Sequence, residues 1–221
     1  MAAITKTTVS NGNWNNAAIW SPSGVPGTND KIYINHIVSL NQNFTVSDTV
    51  FVRNILNINA NRVLTLNPGT MVLVNNRTYN GRLGTVGSNG KILGNFTFQI
   101  WVTRCDGSST YGSPFDVLAA DFDWYHCFQC MGPTWSNIYF YDETVGGTLE
   151  NGYFDNFGNN IYRGKGFFYW FSNYTGGQNF PRQIALKGSV NLSAAFDFNV
   201  TKTTSAGFSN DGYNLLANPF P

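Results

Sequence analysis

The chain has 221 residues and a formal charge of +1, with 11% charged and 16% aromatic residues. Ordinary soluble domains carry roughly 25% charged residues, so the polar surface here is built from Asn, Thr, Ser and Gly, which favour turns and strands over helices. The near-zero charge gives no footprint for nucleic acid or an anionic membrane, and no apolar run approaches the ~20 residues of a membrane span, so nucleic acid and membrane insertion are both excluded as partners.

In chain order, "MAAITKTTVS" lacks the apolar region of a signal peptide. The composition nonetheless suits an extracellular protein, whose export signal is then not in this chain. Next, "NGNWNNAAIWSPSGVPGTNDKIYI" places Trp14 and Trp20 before a Gly/Pro turn, Gly24 to Gly27, and a first strand at Lys31. Two bulky aromatics there are expected to cover the open end of a stacked fold; stacking on a sugar is the alternative role. Residues 31 to 75 then repeat short apolar phrases at Val38, Phe44, Leu56, Val63 to Leu66 and Met71. Aligned, they recur about every twenty residues, the period of a solenoid coil. Asn41, Asn43, Asn57, Asn59, Asn61 and Asn67 would mark its corners, because Asn tolerates left-handed backbone. Antiparallel hairpins of a sandwich are the competing reading.

Near residue 95 the pattern changes. "FTFQIWVTR" alternates Phe96, Phe98, Ile100 and Val102 against polar residues, with Trp101 breaking the polar face. Strand-like runs follow at "SNIYFYDE", "YRGKGFFYWFSN", "RQIALKGSV" and "AAFDFNVTK", separated by Gly/Asn turns, which indicates an antiparallel sandwich. In "GFFYWF" both faces are aromatic, as in a strand buried on both sides. The final "GYNLLANPFP" reads as a strand, with Tyr213 and Leu215 in the core, entering a turn. The expected fold is therefore all-β: a short capped right-handed parallel β-helix over 1–95, then an antiparallel β-sandwich over 96–221, truncated at its C-terminal side.

Chemistry is sparse. His36 and His126 are the two histidines and neither stands in a Ser/His/Asp or Cys/His setting. His36 is expected at a turn or the surface. No P-loop, Gly-x-Ser-x-Gly or dinucleotide fingerprint occurs, so no catalytic residue and no cofactor is expected. Cys105, Cys127 and Cys130 include a Cys-x-x-Cys beside His126. A zinc site needs a fourth ligand and a redox pair needs a βαβ setting, so a single disulfide among the three is expected, its pairing open. Asp116, Asp121 and Asp123 form the one acidic cluster. Solvated acids are the plain reading, with Ca²⁺ at Asp121 and Asp123 as the metal alternative and a glycosidase carboxylate pair as the remaining one. Trp124, Tyr125 and Trp170 are candidates for contact with a glycan or a partner. The N-x-S/T triplets at Asn43, Asn76, Asn95, Asn173, Asn191 and Asn199 are what chance gives in a chain so rich in Asn and Thr.

The second-half phrases, taken together, resemble a module of large secreted surface proteins of the Bacteroidota exported by the type IX route. They are Ser113-Pro114, "WSNIYFYDE" from Trp135 to Glu143, "GKGFFYW" from Gly164, and "GYNLLANPFP" from Gly212. The resemblance spans about Arg104 to Pro221, with looser likeness in the Trp-rich β-helix lead-in. It implies structural roles for Trp14, Trp20, Trp135, Tyr139, Tyr141, Asp142, Gly164, Gly166, Gly212, Tyr213, Asn218 and Pro219. Tyr213 stands where the pattern has Trp and Phe167 where it has Tyr, swaps that keep an aromatic; "ADFDWYHCFQC" is foreign to it. Such modules continue beyond the Asn-Pro-aromatic-Pro turn into a sorting domain, so the parent chain is expected to run past Pro221.

The function expected is that of a non-enzymatic extracellular module, structural or adhesive, in a surface or filament protein. Its partners would be other modules of the same parent, neighbouring surface proteins or subunits, and glycans. A polysaccharide-binding module or β-helical polysaccharide-acting enzyme is the alternative, although residues 31 to 95 hold few acids or bases. A self-assembling phage-type or filament subunit is the third reading.

Overall fold

The alternation read from the sequence becomes strand. The computed structural model describes residues 2–103, 107–117, 138–145, 148–155, 160–171, 181–192, 197, 199–202 and 214–217. Among them the helical segments are single 3-10 turns at Ala17–Ile19 and Leu149–Gly152, so the protein is all-β. No helix among the described residues is long and apolar enough to cross a membrane.

Two compact units form, the first from Met1–Trp101 with Gln183–Phe196. Its strands are β1 (Thr5–Thr8), β2 (Gly12–Asn13), β3 (Trp20–Ser21), β4 (Lys31–Ile34), β5 (Val38–Leu40), β6 (Phe44–Val46), β7 (Thr49–Val52), β8 (Ile55–Ile58), β9 (Val63–Leu73), β10 (Arg82–Val86) and β11 (Lys91–Val102), with the later β16 (Arg182–Leu192). One sheet has the order β16-β11-β9-β7-β4-β1-β3, with β6 also on β9, and the other β10-β8-β5-β2. The chain therefore crosses from one sheet to the other and back, laying each strand beside its counterpart one turn earlier. Apart from the antiparallel β1–β3 edge, the registered pairs of these two sheets from β1 to β11 are parallel, which is not the hairpin arrangement.

Register stacks like on like. Ile32 pairs with Val50, Val50 with Met71 and Met71 with Phe96, and all four are buried. Val38, Leu56 and Leu83 make the matching row in the second sheet. Each fully buried aliphatic side chain of such a row contributes about 1.5–3 kcal/mol. The composition change near residue 95 falls inside β11, which follows both halves of β9: Gly94 lies beside Leu66 and Asn95 beside Thr70 across a register shift. β16, 80 or more positions later in the chain, returns to pair with β11.

Asparagines link successive turns. Asn41 Nδ2 donates to Asn15 Oδ1 at 2.8 Å and Asn89 Nδ2 to Asn61 Oδ1 at 3.1 Å. Asn43 Oδ1 accepts Val63 N at 3.0 Å, and Asn57 Oδ1 accepts Thr85 N at 2.9 Å. Asn61 and Asn89 sit at φ +58° and +56°, in the left-handed region that Asn accepts and most side chains do not. Two of the six expected corner positions differ: Asn57 lies within β8, and Asn67 within β9, at the exposed bend where the strand changes partner from β6 to β7. Amide ladders of this kind do not titrate, so these links between turns do not depend on pH.

Trp14 and Trp20 lie with the terminal strands of the two sheets. Both are buried, at 0% and 2% exposure, with ring centroids 5.3 Å apart and nearly perpendicular. Trp14 also packs on Phe44 at 4.8 Å. Neither ring presents a face to solvent for stacking. The Gly/Pro turn is held by Asp30, whose two oxygens accept Ile4 N and Gly27 N, and by Lys6 Nζ donating to the Pro22 and Ser23 carbonyls at 2.8 and 3.2 Å. His36 follows β4, with Nδ1 3.1 Å from Thr8 Oγ1.

The second unit takes Val102–Arg182 and Asp197–Pro219. Its strands β12 (Gly107–Gly112), β13 (Ile138–Tyr141), β14 (Tyr153–Asp155) and β15 (Gly166–Phe171) form one antiparallel sheet in the order β12-β15-β13-β14. Phe167 and Tyr169 are buried with Ile138, Phe140, Phe115 and Ile161, whereas Phe168 on the other face is half-exposed beside Tyr153. β15 is thus not buried on both faces. The described part of "AAFDFNVTK", Asp197 and Asn199–Lys202, carries no strand. In the last segment Leu216 forms a single bridge to Lys165, and Leu215 is half-buried rather than a core residue. Tyr213 lies outside the described residues.

Candidate functional site

The bridge to the last segment borders a chemically varied concavity of the second unit. Gly166 N donates to Leu215 O at 2.9 Å and Ala217 N to Gly164 O at 3.0 Å, which draws "NLLA" against the turn before β15. Parts of two phrases of the sequence signature, "GKG" and "NLLA", are therefore neighbours. Gly164 has φ +76°, and a side chain at Gly166 would collide with Leu215, so glycine at both positions is a requirement of this close approach. The resulting cleft, of about 300 Å³, is lined by residues that include Tyr141, Asp142, Phe154, Lys165, Asn199 and Leu216.

Each wall follows from local structure. β13 ends at Tyr141, whose ring meets Tyr153 edge-on at 5.1 Å, and Asp142 N donates to Gly152 O at 2.8 Å. Asp142 Oδ1 then accepts both Thr144 N at 2.9 Å and Thr144 Oγ1 at 2.7 Å, an Asx turn that ends the strand. The hydroxyl bond first, then the backbone bond, then the Lys165 charge hold the Asp142 carboxyl below its usual range, against a smaller opposing effect of burial. Asp142 therefore stays ionised through mildly acidic conditions. Lys165 Nζ stands over the Phe140 ring at 5.2 Å. Asn214 Nδ2 donates to Thr201 O at 2.7 Å, tying together the two segments that form the far side. Phe154, 40% exposed, and Leu216, 48% exposed, supply an apolar rim.

Of the expected site residues, the structure brings Tyr141 and Asp142 into this cleft and sets Gly164 and Gly166 behind it. Tyr139 is elsewhere on the sheet, opposite Phe168 and Asp155. Trp14 and Trp20 belong to the other unit. Trp170 lies in β15 opposite Ser108. Asp116 Oδ1 accepts Arg163 N at 2.8 Å; burial lowers the Arg163 pKa from its ordinary value and the Asp116 charge partly restores it. Cys105, Asp121, Asp123, Trp124, Tyr125, His126, Cys127, Cys130, Trp135, Gly212, Asn218 and Pro219 lie outside the described residues. No group of three or more His, Cys, Asp or Glu side chains gathers for a metal among the described residues.

Lys165, Phe154, Asn199 and Leu216 were not singled out from the sequence. They come from four separate stretches of chain, and of the signature phrases only "GKGFFYW" and "GYNLLANPFP" contain any of them, Lys165 and Leu216. No family model, no curated protein and no solved structure matches the chain.

Proposed function

We propose that the chain is a non-enzymatic, extracellular module, structural and adhesive, of a larger secreted surface or filament protein. It would be a short, Trp-capped right-handed parallel β-helix followed by a β-sandwich module. The observation that carries this reading is the first unit: parallel turns stacked in register, with asparagine side chains linking one turn to the next. A stack of this kind extends by repetition, and its amide links between turns carry no titratable group, which suits a scaffold. Tyr141, Asp142, Gly164 and Gly166 of the secreted-surface signature converge around one cleft, which supports an adhesive role for the second unit.

Labelling intact cells of the native source with a membrane-impermeant amine reagent tests the location. The exposed lysines, such as Lys91 and Lys187, should be modified to the same extent before and after lysis. Modification appearing only after lysis would remove the extracellular reading.

A further inference from the structure

We infer that the cleft between the end of β13, Lys165 and the Leu215–Leu216 segment binds the end of an uncharged glycan. The inference rests on the adhesive reading above and gives it a ligand class and a site. A sugar ring offers hydroxyls that donate and accept, and a C–H face that packs on apolar surface, so its site needs an ionised acceptor, a cationic donor, amides and an exposed ring side by side. This cleft has all four. Among the described residues Asp142 commits only Oδ1, to Thr144, and Oδ2 carries no hydrogen bond. Lys165 Nζ has its position over Phe140 and no hydrogen bond among the described residues. Asn199, exposed, likewise leaves its amide uncommitted. Phe154 is 40% exposed although its ring touches Phe140 at 6.1 Å, and Leu216 is 48% exposed.

Charge selects within the class. Asp142 and Lys165 lie in the same cleft with opposite charges that offset each other, so a uronate or sulfated sugar gains no net attraction from the pair. Asp142 stays ionised in mild acid, because its Thr144 bonds, and after them Lys165, favour the carboxylate. The volume of about 300 Å³ sits at the small end of ligand sites, which run from roughly 300 to 1,000 Å³. That suits one or two terminal sugars rather than a long internal stretch of polymer.

The test is titration of the whole chain with cello-, manno-, xylo- and maltohexaose, and with hexagalacturonate as the charged comparison. At least one neutral hexamer should bind. Asp142→Ala and Lys165→Met should each weaken it about ten-fold or more, the effect of losing a hydrogen bond to a charged group. Asn199→Ala, exposed and without a partner among the described residues, should weaken it about three-fold with an unchanged melting temperature. Undiminished binding by all three variants would overturn the site while leaving the adhesive reading intact. Binding of hexagalacturonate alone, or of no hexamer, would overturn the ligand class, and surface labelling would still decide the location independently.

Discussion

Trp20→Ala is expected to destabilise the protein by about 3–5 kcal/mol, the usual cost of emptying a buried aromatic site. The ring is 2% exposed, meets Trp14 edge-on at 5.3 Å, and its Nε1 donates to Trp14 O at 2.9 Å in a buried bond. Removing it leaves a cavity beside Trp14 and deprives the Trp14 carbonyl of that donor. A contrast sharpens the prediction. Trp14 Nε1 is buried with no hydrogen-bond partner among the described residues, so Trp14→Phe deletes an unsatisfied donor along with some volume. Trp20→Phe deletes a satisfied one. Urea unfolding should therefore place Trp14→Phe closer to wild type than Trp20→Phe, with Trp20→Ala furthest away. Wild-type stability for Trp20→Ala would mean that the pair does not seal the end of the stack.

Gly94→Ala should cost about 2–4 kcal/mol and lower the melting temperature by roughly 5–15 °C. Gly94 has φ +113°, which an L side chain rarely adopts, and a Cβ there would run into the carbonyl oxygen of Leu66 on the neighbouring turn. Strain and collision act together, because this is where β11 shifts register to follow the bend of β9. Gly69 stands at the corresponding bend one turn earlier, with Val46 and Asp48 carbonyls in the space a Cβ would take. Thermal unfolding of Gly94→Ala should move far more than that of Ala60→Gly, an exposed turn position. Equal small shifts would contradict the close stacking of the two turns.

How much of this could be read from the residues depended on locality. The short apolar phrases become strands because period-two burial is a property of each run alone: "KIYI", "VSL" and "ILNI" bury alternate residues. The corner asparagines were readable for the same reason, since left-handed tolerance belongs to Asn61 itself. What could not be read was partnership across distance. Nothing in "RQIALKGSV" says that it returns to β11, and nothing in "GFFYWF" says that Phe168 faces outward while Phe167 and Tyr169 go in. The cleft was hidden likewise. Tyr141 and Asp142 stood out within "YDE", but Lys165, Asn199 and Leu216 gain significance only from the bridge between Leu216 and Lys165.

On the proposed reading the module holds a glycan and does not cut it. Cosedimentation of the whole chain with insoluble cellulose, mannan or xylan, with new reducing ends counted in the supernatant over hours, tests that claim most directly. On that reading protein is expected in the pellet with at least one of the three, and a supernatant indistinguishable from the polymer alone. Reducing ends or unsaturated products that rise with time and with protein concentration would contradict it and make the chain an enzyme.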